Sequence, residues 1–114
     1  MSLFSLFRKK SETIDNNFMQ GMWVDLDKST FVFDDENNLT ILTVDDRQID
    51  SKYSVTSGGV LSMYTESISK SYKIEITKEK HEKFSKIINL KSVDTNKVIY
   101  KMFFCMSYAD FSSE

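Results

Sequence analysis

Short alternations of apolar and polar residues recur along most of this chain, and polar turns interrupt them. Residues 48–55 place every second side chain on one face, and residues 71–77 repeat the alternation more cleanly. An alternation with period two is typical of a half-buried β-strand. Strand signals that return roughly every ten residues are expected of an all-β sandwich or barrel.

The segments between these strands are rich in residues that favour tight turns. Residues 34–38 read Asp-Asp-Glu-Asn-Asn, residues 45–47 read Asp-Asp-Arg, and residues 57–59 read Ser-Gly-Gly. Aspartate and asparagine tolerate left-handed backbone conformations, and glycine adopts them without steric cost. We therefore expect about eight antiparallel strands in up-and-down order, in a barrel or a sandwich, after a short N-terminal helix or loop.

Residues 78–90 fit either a strand or a helix. Thr77 is a suitable helix N-cap, and helical spacing is present at Phe84, Ile87 and Ile88. We favour a strand over residues 86–92, because the turn signal after it leads into a last strand. The residues of that last strand expected to face inward are Val98, Tyr100, Met102 and Phe104.

The length of the chain, 114 residues, is that of one domain with a single core. We divide it into an N-terminal segment (residues 1–19), a β domain (residues 20–108) and a tail (residues 109–114). The first bases follow the first apolar residues, the reverse of a secretory signal. A single cysteine, Cys105, cannot form an internal disulfide, which favours a reducing compartment. We expect a cytoplasmic protein.

The segment from Leu3 to Lys10 places four apolar residues ahead of three basic ones. On a short helix this pattern would give weak attachment to a membrane surface. A frayed terminus, or a plug across one end of a barrel, is the favoured interpretation. No apolar run approaches the roughly 20 residues needed to span a bilayer.

Charge is distributed unevenly along the chain, although the net charge is only −2. Residues 11–50 contain ten acids and two bases, whereas residues 51–108 contain five acids and ten bases. Sequence neighbours are spatial neighbours in an up-and-down sheet, so we expect an acidic face and a basic face. Such faces either keep the protein soluble or bind a partner of opposite charge.

Residues that could support catalysis or bind a cofactor are sparse. The only histidine, His81, lies in a charged run, and Cys105 has no basic neighbour in the sequence that would activate it. The acidic turns lack the ligand spacing of a calcium loop, and Gly58-Gly59 lacks the lysine of a phosphate loop. A nucleic-acid-binding sheet built on Tyr64, Lys70, Tyr72 and Lys73 is disfavoured by the acidic net charge. We expect no enzyme, no metal, no cofactor and no nucleic-acid partner.

The segment Gly21-Met22-Trp23, followed by residues 30–34 and 38–41, resembles the opening of bacterial lipocalin-like domains. Residues 53–55 and 60–61 are similar to the hairpin that follows in those domains. The resemblance implies a barrel that holds one small ligand, and a basic residue of the last strand packed on Trp23. Lys97 or Lys101 would take that place. The many bulky inward residues favour a filled interior over an empty one.

Two functions follow as hypotheses from these patterns. The leading one is a cytosolic immunity protein that neutralises a basic toxin, because the chain is short, acidic in one half and without catalytic residues; it looks similar to orphan immunity proteins. Its predicted partner-binding residues are Asp34, Asp35, Glu36, Asp45, Asp46 and Asp50. The alternative is a lipocalin-like carrier of a small apolar ligand. Its predicted lining residues are Phe31, Phe33, Tyr53, Met63, Tyr72 and Tyr100.

Overall fold

The computed structural model describes residues 14–56, 58–65 and 68–112, and these residues form a closed antiparallel barrel. Its strands follow one another in chain order, and the last pairs with the first. They are β1 (Gly21–Asp25), β2 (Thr30–Phe33), β3 (Asn38–Leu42), β4 (Gln48–Val55), β5 (Val60–Thr65), β6 (Ile68–Ile76), β7 (Ile87–Ser92) and β8 (Val98–Met106). Within the described part of the chain, two short helices, α1 (Asn16–Met19) and α2 (Tyr108–Ser112), flank the barrel. The prediction of an all-β fold of eight strands is confirmed, and the barrel is the form adopted.

The hairpin turns repeat one geometry, which explains the turn-rich composition. In the turns before β2, β3, β4 and β5, one backbone N–H donates to the carbonyl oxygen four residues later. These hydrogen bonds run from Asp25 to Ser29, from Asp34 to Asn38, from Thr43 to Arg47 and from Thr56 to Val60. The residue with positive φ in each of these turns is Lys28, Asn37, Asp46 or Gly59. A type I turn followed by one left-handed residue is a common way to join antiparallel strands. Aspartate and asparagine are therefore turn formers here.

One end of the barrel is capped by α1, and we call it the capped end. Phe18 and Met19 on this helix are buried, and the side chain of Asp15 caps it by accepting a hydrogen bond from the backbone N–H of Phe18 at 3.0 Å. Asn16 ties the helix to the barrel, because it donates to Asn37 Oδ1 and accepts from the backbone N–H of Val55. The predicted plug formed by residues 1–10 lies outside the described residues.

The opposite end carries the turns that lead into β2, β4 and β8, together with the paired ends of β5 and β6 at Thr65 and Ile68, and we call it the mouth end. Since strands of an up-and-down barrel reverse direction at each turn, successive turns alternate between the two ends. The capped end therefore carries the turns before β3 and β5 and the longer connection before β7. Among the described residues, no helix has the length and apolar character needed to cross a membrane.

Bulky side chains fill the interior of the barrel. Of the residues predicted to face inward or to line a cavity, Phe31, Phe33, Tyr53, Tyr72 and Met102 are buried, and Met63, Tyr100 and Phe104 pack against them. Ile74, on the inward face of the alternation in residues 71–77, is buried as well. Val98 was predicted to face inward, and this is wrong, because it is 50% exposed. The register between β7 and β8 shifts at this point: Leu90 pairs with Tyr100, but Lys91 pairs with Val98. This bulge breaks the alternation that the prediction relied on.

The ambiguous segment before β7 forms no helix. The strand begins at Ile87 and ends at Ser92, which confirms the preferred prediction to within one residue. The preceding connection instead lies against the outer wall of β8. Phe84 contacts Phe103 with ring centroids 5.2 Å apart, and Glu79 forms an ion pair with Lys101.

Candidate binding surfaces

Two of the predicted binding carboxylates take part in the turns that carry them. Asp34 Oδ1 accepts hydrogen bonds from the backbone N–H groups of Glu36 and Asn38, both at 2.8 Å. Asp45 accepts from Thr43 Oγ1 and forms an ion pair with Arg47 at 3.2 Å. The hydrogen bond from Thr43 is the main reason why the pKa of Asp45 lies below its ordinary value. Both carboxylates are therefore used, at least in part, for local structure.

The six predicted acids lie on one side of the barrel, in the turn before β3, in the turn before β4 and on β4 itself. The turn of residues 34–36 is at the capped end, and the turn of residues 45–46 is at the mouth end. They are separated by the five residues of β3, or roughly 16 Å. Asp50 lies between them on β4, opposite Thr40. We call this elongated strip the acidic surface. It consists of Asp34, Asp35, Glu36, Asp45, Asp46 and Asp50 and extends from the capped end to the mouth end.

A shallow groove adjoins the acidic surface on the outer wall. Its volume is about 450 Å³, and it is lined by Asn38, Asp50, Ser51, Lys52 and Tyr64. Tyr64 is 43% exposed, and its hydroxyl lies 3.3 Å from Ser54 Oγ. Hydrogen bonds with Ser54 and Ser62 place the pKa of Tyr64 below its ordinary value. Tyr64 was not among the predicted partner-binding residues. Its outward position on β5, the strand that pairs with the strand of Asp50, could have identified it from the sequence pattern.

The six residues predicted to line a ligand cavity divide into two groups. Phe33 and Tyr53 pack edge to face with centroids 4.9 Å apart, and Phe31 packs on Tyr100 at 6.0 Å. Phe31, Phe33 and Tyr53 thus fill the core. Met63, Tyr72 and Tyr100 instead line a small cavity at the mouth end, of about 130 Å³, together with Ile41, Thr65, Ile68 and Lys70. We call this space the mouth cavity.

Burial changes the acidity of two interior tyrosines. Desolvation is the largest cause that raises the pKa of Tyr53 to about 12, and the charges of Asp34 and Asp35 add to it. Desolvation likewise raises the pKa of Tyr72 to about 12, with a further contribution from Tyr100. The hydroxyl of Tyr53 donates to the backbone carbonyl of Asp34 at 2.7 Å. Both tyrosines are neutral structural residues at physiological pH.

The residues with catalytic potential, His81 and Cys105, form hydrogen bonds with the backbone of residues close to them in the sequence. His81 Nδ1 accepts a hydrogen bond from the backbone N–H of Lys83, and its ring lies 4.9 Å from that of Phe84. Partial burial raises the pKa of the Cys105 thiol, which makes it a weaker nucleophile at neutral pH. Within residues 14–56, 58–65 and 68–112, no group of three or more His, Cys, Asp or Glu side chains has the geometry of a metal site.

The surroundings of Trp23 differ from those implied by the resemblance. The indole is fully buried, donates to the backbone carbonyl of Met19 at 2.9 Å, and packs on Phe104 with centroids 5.0 Å apart. Lys86, which precedes β7, lies 4.6 Å from the ring of Phe18 and 4.7 Å from that of Phe104. The cation next to this aromatic cluster is thus Lys86, whereas Lys101 pairs with Glu79.

Comparison of the chain with known proteins adds no relative, since no family model, no curated protein and no solved structure matches it. Function must therefore be argued from the residues themselves.

Proposed function

We propose that this chain is a non-catalytic binding protein that recognises a basic protein partner through the acidic surface. The single observation that carries this proposal is the clustering of six acidic side chains in the turns at the two ends of β3 and at Asp50 on β4. Residues 30–55 contain six acids and only two bases, Arg47 and Lys52. Five of the six acids are exposed, and Asp34 is partly exposed. A toxin-neutralising immunity protein is the kind of binding protein that we favour.

Electrostatics supports a basic partner. A strip of like charge raises the rate at which an oppositely charged protein finds it, and it disfavours acidic competitors. Basic nucleases, whose active sites are built for phosphate groups, are partners of this kind. The groove beside Asp50 supplies a contact of another type, because exposed tyrosines such as Tyr64 are enriched at the energetic centres of protein interfaces.

The alternative proposal is a carrier of a small apolar ligand, and it is supported by the mouth cavity. Met63, Tyr72 and Tyr100 are three of its lining residues. Its volume of about 130 Å³ is below the roughly 300 Å³ at which pockets for drug-sized ligands begin. We rank this function second for that reason.

Affinity capture of the tagged chain from its source cells tests the leading proposal. We expect one basic protein in stoichiometric amount, and we expect the purified chain to suppress that protein's activity. Capture of a small apolar compound without any protein would overturn the proposal in favour of a carrier.

Charge reversal identifies the surface responsible. Asp35→Lys with Glu36→Lys alters the capped end of the acidic surface, and Asp46→Lys with Asp50→Lys alters the rest. The matched control, Glu82→Lys with Asp94→Lys, makes the same change in charge at exposed positions outside it. We expect the control to retain the partner and at least one test variant to lose it, with circular dichroism unchanged in all three. Retention by both test variants would contradict the proposal.

A further inference from the structure

Exposed aliphatic side chains are concentrated at the mouth end. Leu26 and Val44 lie in the turns before β2 and β4 and are each 70% exposed, and Val93 in the turn before β8 is 48% exposed. The neighbouring strand ends add Leu42, Ile68, Val98 and Ile99. Among the described residues, the other exposed large apolar side chains are Tyr64, Ile76 and Phe111. A concentration of this kind on one end of a small domain is a mark of an interaction surface.

The mouth end also has depressions of a size that such side chains fit. The mouth cavity is one of them. A second, also of about 130 Å³, lies beside it and is lined by Asp25, Leu26, Asp27, Ile99, Tyr100 and Lys101. A cavity of roughly 150 Å³ accommodates a molecule the size of benzene, so each depression admits one aliphatic side chain. The same end therefore carries both projecting aliphatic groups and recesses for them.

Charged residues of both signs follow the three exposed turn residues Leu26, Val44 and Val93, which we call the tips. Each tip is followed directly by an aspartate, in the pairs Leu26-Asp27, Val44-Asp45 and Val93-Asp94. A base follows in each turn, at Lys28, Arg47 and Lys97, and Arg47 forms an ion pair with Asp45 of the same chain. Insertion into a bilayer would bury the aspartates at a high cost, and a strongly basic protein would meet the three bases. A surface that carries both signs pairs acids with bases when a second copy faces it across a two-fold axis.

We infer that the mouth end is a self-association surface, on which two copies of the chain meet across a two-fold axis. In such an interface the same patch is used twice, so the tips of one copy enter the depressions of the other. Asp27 and Asp94 of one copy then face Lys28 and Lys97 of the other. The end of one small barrel offers a limited area, and interfaces of limited area are weak and reversible. The inference does not depend on the proposed function, because a monomeric chain could still bind a basic partner.

Sedimentation equilibrium of the purified full-length chain, from micromolar to millimolar concentration, tests this inference. We expect a reversible monomer–dimer equilibrium whose dissociation constant rises more than about tenfold in Val44→Asp, because a like carboxylate from each copy enters the interface. Phe111→Asp is the control, because it also replaces an exposed apolar side chain with aspartate. Phe111 lies in α2, which contacts β1 away from the mouth end, so this variant should dimerise like the wild type.

Concentration-dependent amide shifts in NMR spectra should accompany the equilibrium and be confined to the mouth end, at residues 24–30, 41–48, 63–65, 68–72 and 93–101. Three results would overturn the inference: a monomer over the whole concentration range, a dimer unaffected by Val44→Asp, or binding to phosphatidylcholine vesicles without self-association.

Discussion

At the scale of single residues, Gly21 closes the barrel. Its φ of +133° is a conformation that residues with a side chain rarely adopt. A Cβ added there would lie 2.4 Å from the backbone carbonyl oxygen of Met106 and 2.7 Å from Cε1 of Phe104. The Gly-x-Trp pattern therefore has a physical cause, because the glycine lets β1 approach β8 while Trp23 fills the space beneath them.

Gly21→Ala is expected to lower the free energy of unfolding by at least about 2 kcal/mol, through backbone strain and a clash with backbone that cannot move aside. Urea unfolding followed by tryptophan fluorescence measures the change. Gly58→Ala is the control, since the nearest atom to its added Cβ, Thr56 Oγ1, is 3.9 Å away and should tolerate it. Equal losses in the two variants would refute this role of Gly21.

The interior tyrosines predict a pH dependence of stability. The pKa of Tyr53 is about 12 in the folded chain and about 10 when unfolded, so the folded state holds the proton to higher pH. The contribution to stability is complete below pH 10 and is lost as the pH rises from 10 to 12. Urea unfolding over this interval should show a less steep fall in Tyr53→Phe than in the wild type.

Tyr64→Phe is the control for that measurement, because the pKa of Tyr64 is shifted downward instead. It should leave the alkaline fall in stability at least as steep as in the wild type. A slope that is identical in the wild type and in Tyr53→Phe would count against the burial of the Tyr53 phenol.

At the scale of elements, the hairpin turns carry both structure and charge. Asp25 accepts hydrogen bonds from the backbone N–H groups of Asp27 and Ser29, both at 2.9 Å, in the pattern that Asp34 repeats in the next turn. Side chains that bond to the backbone two and four residues ahead stabilise such turns. Part of the acidity of residues 11–50 therefore has a structural explanation that needs no partner.

Lys28 occupies a left-handed position, with φ of 68°, where a long side chain is unfavourable. Lys28→Gly should raise the free energy of unfolding by about 0.5–1 kcal/mol, as measured by urea titration. Lys97→Gly removes the same charge at a position without positive φ and should be neutral or destabilising. If both variants raised the free energy of unfolding to the same degree, the cause would be the loss of a positive charge and not the backbone conformation of Lys28.

The sequence predicted the elements well, since alternation and turn composition are local properties. Val98 escaped prediction because the bulge next to it depends on how β7 and β8 twist together. The separation of Asp34 from Asp46 was not predicted either. The charge was summed over one half of the chain, and such a sum does not show that successive turns lie at opposite ends of the barrel. The mouth cavity depends on side-chain packing between four strands, which no local pattern records.

At the scale of the whole molecule, bulky side chains fill the interior of the barrel, and we therefore propose that a protein partner binds on its outer surface. The acidic surface runs along one side, and the aliphatic tips lie at the mouth end, where Asp45 and Asp46 belong to both. If the copies dimerise there, the acids at the capped end, Asp35 and Glu36, stay accessible for a partner in each copy. The two proposals then involve largely different parts of the acidic surface.

The most direct test of the central claim is the dissociation constant of the chain with its captured basic partner, measured by calorimetry at low and high salt. We predict that Asp35→Lys with Glu36→Lys, or Asp46→Lys with Asp50→Lys, weakens binding at least about tenfold at low salt, and that high salt reduces this difference. The control Glu82→Lys with Asp94→Lys should bind like the wild type. Equal constants for all the variants at both salt concentrations would contradict the acidic surface as the binding site.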